Sequence, residues 1–320
     1  MRNFISEDDI EQAILSKLKA EPFEYDILIC DADPSKRDDL NDGTGRNSKK
    51  ECVLPDVMLS SLKRINPTIE EDKIKEIVKT LRQDYTGTDI VDTNYKLYRQ
   101  IRNNIKITVR RNGKEDFDFV KLIDFEHPKN NTFTAVSQMW IQGRVYYRRP
   151  DILIFVNGMP LVFIELKNSI VKVEEAYNKN LKDYMRDIPN LFAFNQICVL
   201  SNGLETKLGA FNATYDYFFE WLKVDSEKEK LDREAILAAD NVKDSSVRYF
   251  VDGLLNKDRL IDYIENFILF ENQRIKIIAK NHQYLGVNNL MESVGNRKEL
   301  NGKLGVFLSL IHISEPTRPY

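Results

Sequence analysis

The sequence predicts an α/β protein, a mixed sheet flanked by helices, and three observations carry that reading. Two wholly apolar runs, Ile152–Val156 and Leu161–Ile164, are joined through Asn157-Gly158, a pair that supplies the φ > 0 residues of a two-residue hairpin turn. Such runs suit strands covered on both faces, whereas a sheet with one wet face alternates. Around this hairpin, strand-like segments are interleaved with stretches of helical period, which requires a sheet with helices packed on it.

The elements follow in chain order. Ser6 to Leu18 reads as an amphipathic helix, with Ser6 as N-cap, Asp9 at the capping-box position and Ile10, Ile14 and Leu18 as the apolar stripe. Residues 31–52 are polar and rich in Asp, Asn, Lys and Gly, the composition of a mobile loop or insertion. Helical patterns follow over 54–65, 68–84 and 90–103. Ile105–Arg110 and Phe117–Ile123 alternate on either side of Asn112-Gly113, so they form an antiparallel hairpin. A strand over 133–141 precedes the 150–167 hairpin, which is expected at the centre of the core. Val171–Ile188 is helical, and Gln196–Leu200 is a further buried strand closed by the turn Ser201-Asn-Gly203. The charge-rich stretch 223–246 marks a domain boundary, and beyond it Leu260–Phe267 and Ile275–Leu290 are helical patterns flanking Ile268–Phe270.

Composition limits the function classes. At 320 residues the chain has room for about two domains of ~150 residues. The formal net charge is −3, so contact with a polyanion must come from local patches such as Arg110–Lys114 and Arg144–Arg149. The three cysteines, Cys30, Cys52 and Cys198, form no CxxC, and the three histidines, His127, His282 and His312, are scattered. Both facts argue against a zinc or histidine-based site and leave carboxylates as the metal ligands. Met1–Ser6 lacks an apolar core and no apolar run approaches ~20 residues, so a soluble, cytoplasmic protein without a membrane span is expected.

The chemistry concentrates at one end of the 150–167 hairpin. Glu165 and Lys167 are two apart and therefore co-facial, and the turn folds Asp151 back beside them. Two carboxylates suit Mg²⁺, a hard ion that keeps several waters. A neighbouring lysine can orient a water or neutralise charge that develops on a phosphate.

Pro150-Asp151 followed by Glu165-x-Lys167 resembles the PD-(D/E)xK nuclease motif. The likeness is wider. Phe133-Thr-Ala-Val-Ser-Gln138, Arg149-Pro-Asp-Ile, Gly158-Met-Pro-Leu-Val-Phe-Ile-Glu-Leu-Lys167, Phe267-Ile-Leu-Phe and Lys280-Asn-His-Gln-Tyr-Leu-Gly-Val287 together resemble the N-terminal region of the restriction subunit of type I restriction enzymes, over most of residues 100–307. The resemblance implies a restriction-endonuclease-like sheet in 1–225, then linker helices and the start of a RecA-like motor domain in 226–307. It implies Asp151 and Glu165 as Mg²⁺ ligands, with a backbone carbonyl near Leu166, and Lys167 as the residue that positions water or stabilises the phosphate. Glu11 is the helical glutamate that such folds place near the metal. Relatives carry Gln-x-x-x-Tyr after the catalytic strand, and here Asn180 and Tyr184 stand at those positions, with a shorter amide. Lys280-x-x-Gln283-x-x-Gly286 is similar to the glutamine motif that reads adenine in superfamily 2 helicases, and Gly302–Phe307 to the strand before a phosphate loop.

No G-x-x-x-x-G-K-[ST] occurs in the sequence, so this stretch of chain is not expected to hydrolyse ATP. Residues 308–320 resemble the conceptual translation of a sequencing adapter and are set aside from fold reasoning. The expected activity is that of a type I site-specific deoxyribonuclease: Mg²⁺-dependent cleavage of double-stranded DNA, coupled in the full-length protein to ATP-driven translocation. Modification and specificity subunits are the expected partners. A stand-alone endonuclease of the same fold is the alternative. A non-catalytic DNA-binding or assembly module is a third reading, against which the intact Asp151, Glu165 and Lys167 argue.

Overall fold

The computed structural model describes residues 4–299 apart from 112, 227 and 231. Ser6 caps helix α1 (Glu7–Lys19) in a reciprocal box: its hydroxyl accepts from Asp9 N at 3.1 Å and Asp9 Oδ2 accepts from Ser6 N at 3.0 Å. Ile10, Ile14 and Leu18 are buried, as their spacing requires. Strand β1 (Asp26–Ile29) follows.

The polar stretch 31–52 is irregular apart from a short 3-10 turn at Pro34–Lys36, as its composition suggests, with 31–41 exposed and the second half partly packed. Arg46 and Lys49 are buried around Asp42, which accepts from Lys49 Nζ at 2.6 Å and Arg46 Nη2 at 2.8 Å. Burial would raise the Asp42 pKa, but Lys49, Thr44 and Arg46 outweigh it and hold it at about 2. Charged residues so paired need not face water, which the composition alone did not reveal.

Helices α2 (Pro55–Ile65), α3 (Glu71–Leu81) and α4 (Ile90–Asn103) lie where their patterns placed them. Strands β2 (Ile105–Arg111) and β3 (Lys114–Val120) form a separate antiparallel ribbon, with Gly113 at φ +76°. Asn112 of the expected turn lies outside the described residues. Strand β4 (Phe133–Ser137) ends four residues before the expected limit. Gln138, at φ +58°, breaks it, and the chain leaves for a short ribbon of β5 (Ile141–Gln142) and β6 (Tyr147–Arg148).

The central hairpin is β7 (Ile152–Val156) and β8 (Met159–Leu166), buried throughout. Asn157 and Gly158 take φ of +49° and +77°. The Asn157 amide donates to the Leu122 carbonyl at 2.9 Å and to Asn131 Oδ1 at 2.7 Å, which anchors the turn. After β8 comes a broken helix: α5 (Val173–Glu175), a π-helical stretch over Ala176–Leu181, and α6 (Lys182–Asp187). Strands β9 (Ile197–Ser201), β10 (Thr206–Gly209) and β11 (Phe219–Glu220) complete a seven-stranded mixed sheet of order β1-β4-β7-β8-β9-β10-β11. Strand β8 lies between antiparallel β7 and parallel β9, so both its edges are paired, and side chains on both its faces are buried. Ile152, Ile154 and Val156 face the core shared with α1–α4, whereas Leu153, Phe155 and Phe163 face the core under the broken helix.

Beyond residue 225 lie α7 (Arg233–Leu237), α8 (Val247–Leu254), α9 (Lys257–Asn266), the hairpin of β12 (Ile268–Glu271) and β13 (Ile275–Ile278), and α10 (Asn281–Gly295). The helical pattern expected from Ile275 fails here. Asn272 and Gln273 adopt φ of +48° and +61° and turn the chain, so 275–278 pairs with β12. Residues 247–285 share their core with 5–25: Tyr25 OH donates to the Leu255 carbonyl at 2.7 Å and Lys17 pairs with Asp252 at 2.6 Å. Lys276 is buried and reaches across to Asn94 Oδ1 (3.2 Å), the Asn195 carbonyl (2.6 Å) and Gln196 Oε1 (2.8 Å). Among the described residues after 225 the strands are the antiparallel β12 and β13, and a parallel motor-type sheet is not among them. Gly302–Phe307 and residues 308–320 lie outside the described residues. No helix among the described residues is long and apolar enough to cross a membrane.

Candidate active site

Strand alternation brings the sequence-singled residues together. Asp151 and Glu165 have the parity of Leu153 and Phe163, so both belong to the face covered by the broken helix. Asp151 Oδ2 accepts from Leu166 N at 2.7 Å, which ties the start of β7 to the end of β8. Lys167 Nζ donates to Glu165 Oε1 at 3.1 Å and to the Leu166 carbonyl at 2.7 Å. That carbonyl, a ligand by resemblance, is therefore already engaged by the ammonium, although it keeps a second lone pair.

The site is electrostatically costly as a bare protein site. Burial raises the Asp151 carboxyl to about 6, against the lowering effect of Leu166 N and Lys167, and the negative Glu11 and Glu7 add to the rise. Burial, then repulsion from Asp151, raises Glu165 to about 8, against attraction to Lys167. Burial alone would lower Lys167, but Glu165, Glu7 and Asp151 reverse the sign, so the lysine remains a cation at neutral pH. Glu165 Oε2 is buried and has no donor at hydrogen-bonding geometry, since the nearby Tyr184 hydroxyl, which favours the charged form of Glu165, donates to the Arg149 carbonyl. An acceptor oxygen in that state beside a second carboxylate is what a divalent cation would satisfy, and the residues fit such an ion.

Glu11, expected nearby, is buried on α1 and held by two donors. Ser137 Oγ donates to Oε1, and Gln138 Nε2 donates to Oε2 at 2.6 Å. Glu7, one turn earlier, was missed by sequence reasoning, although its i, i+4 spacing from Glu11 places both on one helix face. Ser137 and Gln138 carry no such signal, because nothing in the sequence indicates which strand meets α1.

Tyr184 is buried against Phe163, ring centroids 5.4 Å apart, and its hydroxyl donates to the Arg149 carbonyl at 3.1 Å. Its burial, with Glu165 and Asp151 close by, raises the phenol well above its ordinary value. Asn180 is half-buried in the π-helical stretch, a feature that often marks functional sites. Gln283 is not brought to this site. It is exposed at the start of α10, where Oε1 accepts from Lys280 N at 2.8 Å, the reciprocal bond of a capping box.

The basic stretch Arg144–Arg149 is divided by the fold. Arg148 is neutralised by Asp187 (2.5 Å) and Asp183 (3.3 Å), whereas Arg149 stacks over Trp140 at 5.3 Å from the ring centre. Among the described residues, the one group of three metal-type ligands with atoms within 4.8 Å of one another is Asp124, Glu126 and His127. Asp124 is occupied by Asn130 Nδ2, Lys121 Nζ and the His127 backbone N, and the other two are exposed. The cysteines are buried and free.

A family model described as "Type I restriction enzyme R protein N terminus" matches residues 4–217. The HindI endonuclease subunit of Haemophilus influenzae, a type I restriction enzyme subunit, is 33% identical over 298 residues, which is 90% of this chain and 27% of that protein. The putative type I restriction enzyme MjaIXP endonuclease subunit of Methanocaldococcus jannaschii is 32% identical over 267 residues, 77% of this chain and 24% of that protein. The chain therefore spans about a quarter of the length of these curated relatives.

Proposed function

The chain belongs to the family of type I restriction enzyme R proteins, in its N-terminal part, and from that premise we propose that it carries a Mg²⁺-dependent, PD-(D/E)xK-type nuclease site that hydrolyses phosphodiesters of double-stranded DNA. The observation that supports this best is the pair of carboxylates at one sheet end, Glu165 buried and Asp151 half-buried, with Glu165 Oε2 lacking a donor and Lys167 beside it.

In this reading Asp151 and Glu165 hold the ion through oxygen. When bound, Mg²⁺ supplies Lewis-acid polarisation of the phosphate and a more acidic water. The protein's residues do the rest. Lys167 stays protonated and donates to the phosphate or the incoming water, so it acts as a cation and not as a base. Glu11 adds negative charge to the same pocket. Tyr184 packs over the face that carries Asp151 and Glu165 and keeps bulk water from it.

In the full-length protein, cleavage is coupled to ATP-driven translocation by a RecA-like motor that begins in 226–307, with Gln283 on the nucleotide side. The protein works in the cytoplasm of a prokaryote, assembled with modification and specificity subunits that choose the DNA target. The relatives' names and greater length support this extension. The test uses the full-length subunit, assembled with its partners, on circular DNA with ATP and Mg²⁺. Asp151→Ala, Glu165→Gln and Lys167→Ala should each abolish strand cleavage while leaving ATP hydrolysis. Cleavage retained by any of them would overturn the assignment.

A further inference from the structure

Gln138 links two parts of the site, Glu11 on α1 and Asp151 at the start of β7. Its main-chain N donates to the Asp151 carbonyl at 3.0 Å, one step beyond the β4–β7 ladder that ends at Ser137 and Ile152. Its side chain donates to Glu11 Oε2 at 2.6 Å on α1. It does this from φ +58°, a backbone conformation that glycine adopts without steric cost and glutamine does not. What the position gains from glutamine is therefore the carboxamide, not the turn.

The orientation of that carboxamide is fixed by chemistry. Glu11 can only accept, so the amino group must face it and Oε1 must point the other way. Oε1 is buried and has no donor. Two acceptor oxygens without donors, Gln138 Oε1 and Glu165 Oε2, thus occur in residues bonded or electrostatically linked to Asp151. The waters of a hydrated cation are donors of the kind such acceptors lack.

Resting on the metal-dependent reading above, we propose that Gln138 is a positioning residue of the cation site: it fixes the Glu11 carboxylate relative to Asp151 and offers Oε1 to a water of the ion. Ser137, which donates to Oε1 of Glu11, supports the same carboxylate from the other oxygen. The carboxylates at 151 and 165 bind, and Gln138 sets how well the outer ring of the site is formed before the ion arrives.

The test is a melting-temperature titration of the 320-residue chain with MgCl₂ and, separately, MnCl₂, which reads binding without any cleavage step. Gln138→Gly should leave the metal-free melting temperature within a few degrees of wild type, because glycine takes this backbone freely. It should raise the half-saturating metal concentration about tenfold, the scale seen for losses around a metal's first ligands. Gln138→Leu keeps the bulk and should show the same shift if the glycine variant does not fold. Glu165→Gln is the reference that should abolish the response. If wild type responds and both Gln138 variants titrate like it, the positioning role is overturned and the metal site stands. If wild type itself shows no response, the metal reading falls and the role of Gln138 falls with it.

Discussion

Glu165→Gln should flatten the pH dependence of stability in the metal-free protein. Glu165 is 2% exposed, and its pKa is raised from 4.5 to about 8 by burial first and Asp151 second. A carboxyl raised in the folded state binds more protons folded than unfolded between those two values. Its contribution is therefore fully present below about pH 4.5 and is lost as pH climbs towards 8. At about 1.4 kcal/mol per pH unit, the loss between about pH 5 and about pH 8 is on the order of 3–4 kcal/mol from this residue. Asp151, raised to about 6, adds roughly another 1–2 kcal/mol over the same window. With an unfolding entropy near ~0.6 kcal/mol/K for a chain of this size, the Glu165 part corresponds to a fall of about 6 °C in melting temperature. Gln has no proton to lose, so the variant should retain only the shallower slope from Asp151. The assay is differential scanning calorimetry in EDTA at matched ionic strength across that range. Saturating Mg²⁺ should flatten the wild-type curve, because the cation replaces the proton on Glu165, and leave the variant unchanged. Parallel wild-type and variant curves in EDTA would refute the claim that Glu165 is a desolvated, charge-frustrated carboxyl.

Three further outcomes are expected. Gly158→Ala should cost at least about 3 kcal/mol in urea unfolding, because φ is +77° and an added Cβ would meet the Leu54 carbonyl at 2.5 Å and Met58 N at 2.8 Å; a loss below about 1 kcal/mol would show that the α2–hairpin contact yields easily. Lys276→Met should destabilise by about 2–4 kcal/mol, since it leaves Asn94 Oδ1 and Gln196 Oε1 buried without a donor and leaves the Asn195 carbonyl with Asn94 Nδ2 alone; an unchanged unfolding midpoint would mean that those acceptors find other donors. Lys167→Ala should leave the Mg²⁺-dependent melting shift in place while cleavage by the assembled enzyme is lost, and a lost shift would instead make the lysine part of the binding site.

Much of the candidate site was legible because its signals are local. Asn157-Gly158 between apolar runs specifies the hairpin, and strand parity then places Asp151 beside Glu165 and Lys167. The residues that were not legible act across distant segments. Ser137 and Gln138 meet Glu11 only because β4 pairs with β7 and α1 crosses that edge. The burial of Arg46 and Lys49 within the polar stretch 31–52 was not legible, because their contacts with Asp42 form only in the folded chain. Ile275–Ile278 carried a helical pattern, and pairing with β12 overrode it.

Local propensity and period thus determined most of the elements and the two carboxylates with their lysine, since these depend on residues within one hairpin's reach. Tertiary structure alone decided the rest: burial of Glu165 to 2% exposure, the orphaned Oε2 and the Gln138–Glu11 clamp. Desolvation is a property of everything packed around a group, and that surrounding comes from strands and helices more than a hundred residues apart.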